Sequence, residues 1–123
     1  MRLQPRWSSE TRNLHGAWDT DFVQHAFGGK NEKLVAHELL LTFAPRKNDW
    51  HTGTMQAWMD ESNQLAKSLA YGKIAGFRCD ADLKHMRISL DQNYADEATT
   101  VVEEQLAKAG YRLAYFLNLS LRN

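Results

Sequence analysis

The chain has 123 residues, 43% of them hydrophobic, enough for one globular domain with its own core and too few for two. Its 15 basic and 15 acidic side chains cancel to a formal net charge of +0, which excludes the overall positive field by which many proteins hold duplex nucleic acid. No apolar run approaches the roughly 20 residues of a membrane-spanning helix, and the opening MRLQPRWSSETR lacks a signal peptide's apolar centre, so the chain reads as soluble and not exported.

Residues 1–12 are polar and read as an irregular lead-in. Asn13 suits an N-cap, and Leu14, Ala17, Trp18, Phe22, Val23 and Ala26 recur at helical spacing as far as Phe27, before Gly28-Gly29. A second helix is expected from Asn31 to Phe43, ended near Pro45, with APRKNDWHTG as the loop that follows. Thr54 to Tyr71 reads as a third helix on Met55, Trp58, Ser62, Leu65 and Leu69, with Gly72 at its C-terminal end. KIAGFRCDADLKHMRISLDQNY has no sustained helical period and is expected to be loop, with a short extended piece at MRISL.

From Tyr94 or Ala95 to about Leu121, the residues Ala98, Val102, Leu106, Ala109, Leu113 and Phe116 form one stripe and predict a long terminal helix. Glu103, Glu104, Lys108 and Arg112 opposite the stripe read as a solvated face, and Gly110 suggests a close helix approach or a local weakness. The fold class is all-α, a bundle of about four helices.

His15 and Asp19 lie one helical turn apart, so their side chains project from one face and can converge on one ion. Imidazole and carboxylate both suit zinc, but a protein zinc site takes three or four protein ligands, and a lone pair at this spacing is more often a simple ion pair. Asp21 and His25 repeat the spacing in reverse on another face and read as a solvated ion pair. His37, His51 and His85 have no metal-ligand spacing. The lone Cys79 has no partner for an internal disulfide. Of the four tryptophans, Trp18 and Trp58 fit core stripes. Trp7 and Trp50 are left open between packing and stacking on single-stranded bases.

Three ordered segments change the weight of the pair: Asn13-Leu14-His15 followed by Trp18-Asp19; Trp58, Glu61, Ser62, Leu65, Ala66 and Tyr71-Gly72; and Gln105 to Gly110 followed by Arg112-Leu113-Ala114 and Leu117-Asn118. Together they resemble the zinc-dependent single-strand-specific nucleases of the nuclease S-one/P-one and mung-bean type, over 13–123, as the C-terminal half of such a domain. The resemblance implies an all-α fold shared with zinc phospholipase C, holding up to three zinc ions. It also implies hydrolysis of single-stranded DNA and RNA to 5′-phosphates, with 3′-nucleotides as further substrates. His15 and Asp19 would then bind one zinc, and Asn13 would cap the helix and orient the motif; no other catalytic residue is assignable. Family members are about twice this length and typically secreted or periplasmic. Their other ligands, including an N-terminal tryptophan, have no counterpart here, so the site is expected to be partial. The chain would need its missing half, or be a non-catalytic scaffold that self-associates, or share one zinc across a homodimer.

Overall fold

The computed structural model describes residues 13–80, 82 and 88–122, and among them the regular structure is all helical. Four continuous stretches account for it. Helix α1 covers 14–27, as a first turn Leu14–Gly16, a π-helical turn Ala17–Asp21 and an end Phe22–Phe27. Helix α2 covers 32–50, as Glu32–Phe43, a 3-10 turn Ala44–Arg46 and Lys47–Trp50. Helix α3 covers 55–70, as Met55–Leu65 and a π-helical turn Ala66–Ala70. Helix α4 is Gln92–Ser120, 29 residues. None of the described helices is long and apolar enough to cross a membrane.

Each stretch opens on a side chain that accepts from a free backbone N–H of its first turn. Asn13 Oδ1 takes Gly16 N at 2.7 Å, Asn31 Oδ1 takes Lys33 N at 2.9 Å, Thr54 Oγ1 takes Ala57 N at 3.1 Å and Asp91 Oδ1 takes Tyr94 N at 2.8 Å. Those N–H groups have no carbonyl four residues earlier inside the helix, so the caps fix where each one starts. Asp91→Ala is therefore expected to cost about 1 kcal/mol, read by urea denaturation; a loss under a few tenths would show that the cap does not hold α4.

One expectation about the connections changes. APRKNDWHTG is not all loop, because the chain re-enters a helix at Lys47–Trp50. Pro45 stands early in the intervening 3-10 turn, where its fixed φ suits the turn and its missing N–H breaks no ladder. The result is that Trp50 is buried, at 3% exposure. Residues 71–80 are mostly turns, as expected, while Met86 and Arg87 of MRISL lie outside the described residues and its remaining residues 88–90 carry no regular structure.

The core gathers Ala17 and Phe22 of α1, Ile74 of the turn segment, and Tyr94, Ala95, Ala98 and Val102 of α4. Residues five apart in an α-helix sit about 140° apart around the axis. The wider π turn, in which Phe22 N donates to Ala17 O, brings both residues onto the buried face. Tyr94 ties three elements: its Oη accepts from Trp18 Nε1 at 3.0 Å and donates to Ala70 O at 2.8 Å. Burial pushes the Tyr94 phenol above its ordinary value, offset in part by the Trp18 hydrogen bond.

The terminal stripe is buried only in its first half. Ala98 and Val102 are in the core, but Leu106 (47% exposed), Leu113 (61%) and Leu117 (51%) are open, because α4 runs on past the residues of α1 that cover it. Among the described residues Gly110 makes no close helix approach: a Cβ built there meets none of them within 4 Å. Gly110→Ala is thus expected to stabilise the chain by about 0.5–1 kcal/mol, since alanine forms helix better at no steric cost. A lower melting temperature for this variant would contradict that reading.

Candidate metal-ligand pair and the ion cluster beside it

His15 and Asp19 meet as their spacing requires. His15 Nε2 lies 2.8 Å from Asp19 Oδ2, and the two side chains are 85% and 61% exposed. Asn13, capping the same turn through Gly16 N, holds the start of the motif. Two donors around a tetrahedral zinc, each at about 2.1 Å, sit roughly 3.4 Å apart. The pair would therefore have to open by a fraction of an ångström, which exposed side chains can do without disturbing the core. The nitrogen and oxygen donors fit zinc in kind, but two are too few. Among the described residues, no group of three or more His, Cys, Asp or Glu side chains is placed to hold an ion.

The pair stands at the rim of a cleft of about 790 Å³ between α1, α3 and α4. Its walls are mainly apolar, with Trp18, Leu65, Tyr71 and Val101 on them, and Ser62 and Gln105 add polar groups. Both π-helical turns reach this cleft, through Trp18 and Asp19 on one side and Ala66 and Ala70 on the other. Such turns occur often at functional sites. Gly72 closes α3 tightly, since a Cβ there would fall well inside contact distance of the Lys67 carbonyl oxygen.

Behind Gln105, on the α3–α4 contact, lies an ion cluster centred on Glu61. Its carboxylate takes Arg112 Nη2 at 2.7 Å, Lys108 Nζ, and Gln105 Nε2 at 3.4 Å. Lys108 also reaches Glu104 at 3.0 Å, and Glu104 is held by Arg46 at 3.0 Å. Burial by itself would push the Glu61 carboxyl up. Hydrogen bonds from Arg112, Lys108 and Gln105, with the charge of Lys108, outweigh burial and hold it at about 2. Each cation lies over one indole: Arg112 4.6 Å over Trp58, and Lys108 and Arg46 5.6 and 5.2 Å over Trp50.

This cluster corrects the expected solvated face of α4. Lys108 and Arg112 side chains are only 11% and 14% exposed. Their i,i+4 spacing on one face, opposite a glutamate one helix away, was the available signal; the distance of 47 residues between Lys108 and Glu61 kept it out of any local pattern. The expected Asp21–His25 surface pair is corrected too. Asp21 is buried at 5% exposure, and His25 Nε2 lies 3.8 Å from Asp96 Oδ1 on α4.

The other candidates separate as follows. His37 is exposed on α2, and His85 and Trp7 lie outside the described residues. Trp18 packs against the core as expected, and Trp58 donates its Nε1 to Thr52 O at 3.0 Å. Trp50 is buried between Phe43 and Tyr111, with ring centroids 5.5 and 5.8 Å away, and is closed to a base. Cys79 is exposed as a free thiol.

With this geometry in place, comparison with known proteins is decisive at the level of family. The model of the S1/P1 nuclease family matches residues 2–122, which takes in all three ordered segments and the lead-in before Asn13. Nuclease S1 of Aspergillus oryzae (strain ATCC 42149 / RIB 40) is 30% identical over 129 aligned residues, covering 92% of this chain and 42% of the relative. The chain thus spans less than half the length of that relative. No solved structure matches it significantly. On the family match across almost the whole length, this chain belongs to the S1/P1 nuclease family.

Proposed function

We propose that the chain contributes one zinc-ligand pair and one wall of the substrate cleft to a zinc-dependent nuclease acting on single-stranded DNA and RNA, with 3′-nucleotides as further substrates. The observation that carries this is the His15–Asp19 pair, exposed at the mouth of a cleft within the segment matched by the nuclease family. His15 would hold the ion through a ring nitrogen and Asp19 through its carboxylate, with Asn13 keeping the first turn, and so the imidazole, in place. Zinc when bound supplies Lewis acidity, which activates a water and offsets phosphate charge. That is why a chain with a formal net charge of +0 can serve a polyanion. The apolar walls formed by Trp18, Leu65 and Tyr71 suit the flat face of an unpaired base. The remaining ligands are expected from outside the described residues.

His15→Ala is expected to weaken zinc binding by at least tenfold, because even partners one step removed from a metal typically contribute 10–100-fold. Zinc titration with isothermal calorimetry checks this, and the same affinity in His15→Ala and wild type would reject the pair as ligands. Chelator-sensitive cleavage of single-stranded DNA tests the activity. A chain that neither binds zinc nor cleaves would leave the family scaffold without catalysis. A non-catalytic scaffold is the second reading, favoured by the exposed Leu106, Leu113 and Leu117; concentration-dependent sedimentation to a dimer, with no zinc bound, would support it instead.

A further inference from the structure

Away from the zinc-ligand pair, the C-terminal part of α4 and the end of α2 enclose a second recess of about 350 Å³. Its chemistry differs from that of the cleft. His51 stacks on Tyr115, centroids 4.7 Å apart and planes 15° from parallel, and the Tyr111 ring centroid is 6.4 Å from that of His51. Tyr111 is fixed by donating its hydroxyl to Leu40 O at 2.7 Å. Lys47, Asn118 and Arg122 complete the polar lining, and no acidic side chain is among the described residues that line it. Arg46 and Arg112 are committed to Glu104 and Glu61, whereas Lys47 and Arg122 take part in no ion pair among the described residues. A half-buried aromatic stack flanked by two uncommitted cations and one amide is the combination that holds a flat heterocycle beside a phosphate.

We propose that this recess is a second binding site for single-stranded nucleic acid, taking one nucleotide unit with its base against the Tyr115–His51 stack and its phosphate between Lys47 and Arg122. Buried Trp50 supports the platform from beneath, 5.8 Å from Tyr111. Tyr115 is ten residues beyond Gln105 of the cleft, roughly 15 Å along the axis of α4. The two sites can therefore engage one strand at separate points or act independently. The nuclease reading enters only in choosing nucleic acid as the polyanion; the stack and the cations stand without it.

Fluorescence anisotropy of a labelled oligo-deoxythymidine in excess EDTA tests the proposal, since chelation removes any zinc-dependent cleavage or binding. The 123-residue chain is expected to bind saturably, and Lys47→Glu/Arg122→Glu to bind about tenfold or more weakly, as does Tyr115→Leu. Lys33→Glu, a charge reversal at an exposed position outside both recesses, is expected to bind like the wild type. All substituted positions are exposed or half-buried, and circular dichroism confirms that each variant keeps its helix content. Absence of binding, or unchanged binding in Lys47→Glu/Arg122→Glu and Tyr115→Leu, or an equal loss in Lys33→Glu, overturns the proposal. So does equal competition by polyglutamate, which carries charge and no base. Failure of the nuclease reading shows separately, as absent zinc binding with the EDTA titration unchanged.

Discussion

Glu61→Ala is expected to destabilise the chain by about 3 kcal/mol at pH 7, measured by urea denaturation. The substitution leaves Arg112, whose side chain is 14% exposed, without its carboxylate, and leaves Lys108, 11% exposed, with Glu104 as its remaining partner. Removing one member of a buried ion pair costs about 3–5 kcal/mol, and the 29% exposure of the Glu61 side chain puts this case at the low end. The acidity of Glu61 gives an independent handle. Its carboxyl is held at about 2 in the folded chain against 4.5 when unperturbed. A depressed carboxyl stabilises fully above its unfolded value and is lost as pH falls towards its folded value. The stability gap between wild type and Glu61→Gln is therefore expected to be full above pH 5 and to shrink to roughly half or less by pH 3. A gap that stays constant between pH 7 and pH 3 would show that the carboxylate charge is not what the cluster depends on.

Phe22→Ala is expected to cost about 3–5 kcal/mol, a large part of the roughly 5–15 kcal/mol that holds a domain together. Phe22 has 0% exposure, with Trp18 and Tyr94 packed at centroid distances of 5.4 and 5.8 Å. Its removal leaves a cavity that the π turn cannot close without rotating Ala17 out of the core. The functional consequence follows from position. The same helix carries His15 and Asp19, and its seat on α4 depends on this ring and on the Trp18–Tyr94 hydrogen bond. A fall in melting temperature of about 10 °C or more is expected, with Phe22→Leu falling less because most of the volume is kept. If Phe22→Ala melted within a degree or two of wild type, α1 would be held by something other than this core.

The His15–Asp19 pair was legible because its geometry is local. An i,i+4 spacing on a helix dictates the meeting of His15 and Asp19 whatever surrounds them, and the structure places them 2.8 Å apart. The ion cluster was not, although Glu61, Lys108 and Arg112 all lie in segments that had been singled out. A charged side chain goes inside only when an opposite charge from elsewhere meets it, and the sequence spacing of 47 and 51 residues holds no trace of that meeting.

Legible in the chain alone were the four helices, the first three starts at Asn13, Asn31 and Thr54, and the ordered segments that mark the family; the last helix was expected from Tyr94 or Ala95 and is capped earlier, at Asp91. These depend on caps, periodicity and breakers, which act within a few residues. Which half of the α4 stripe is covered, that Trp50 is inside and that Lys108 and Arg112 face Glu61 emerge only when the helices pack. Periodicity reports that a helix has an apolar face; burial requires a partner of matching length laid against it, and α1 ends before α4 does.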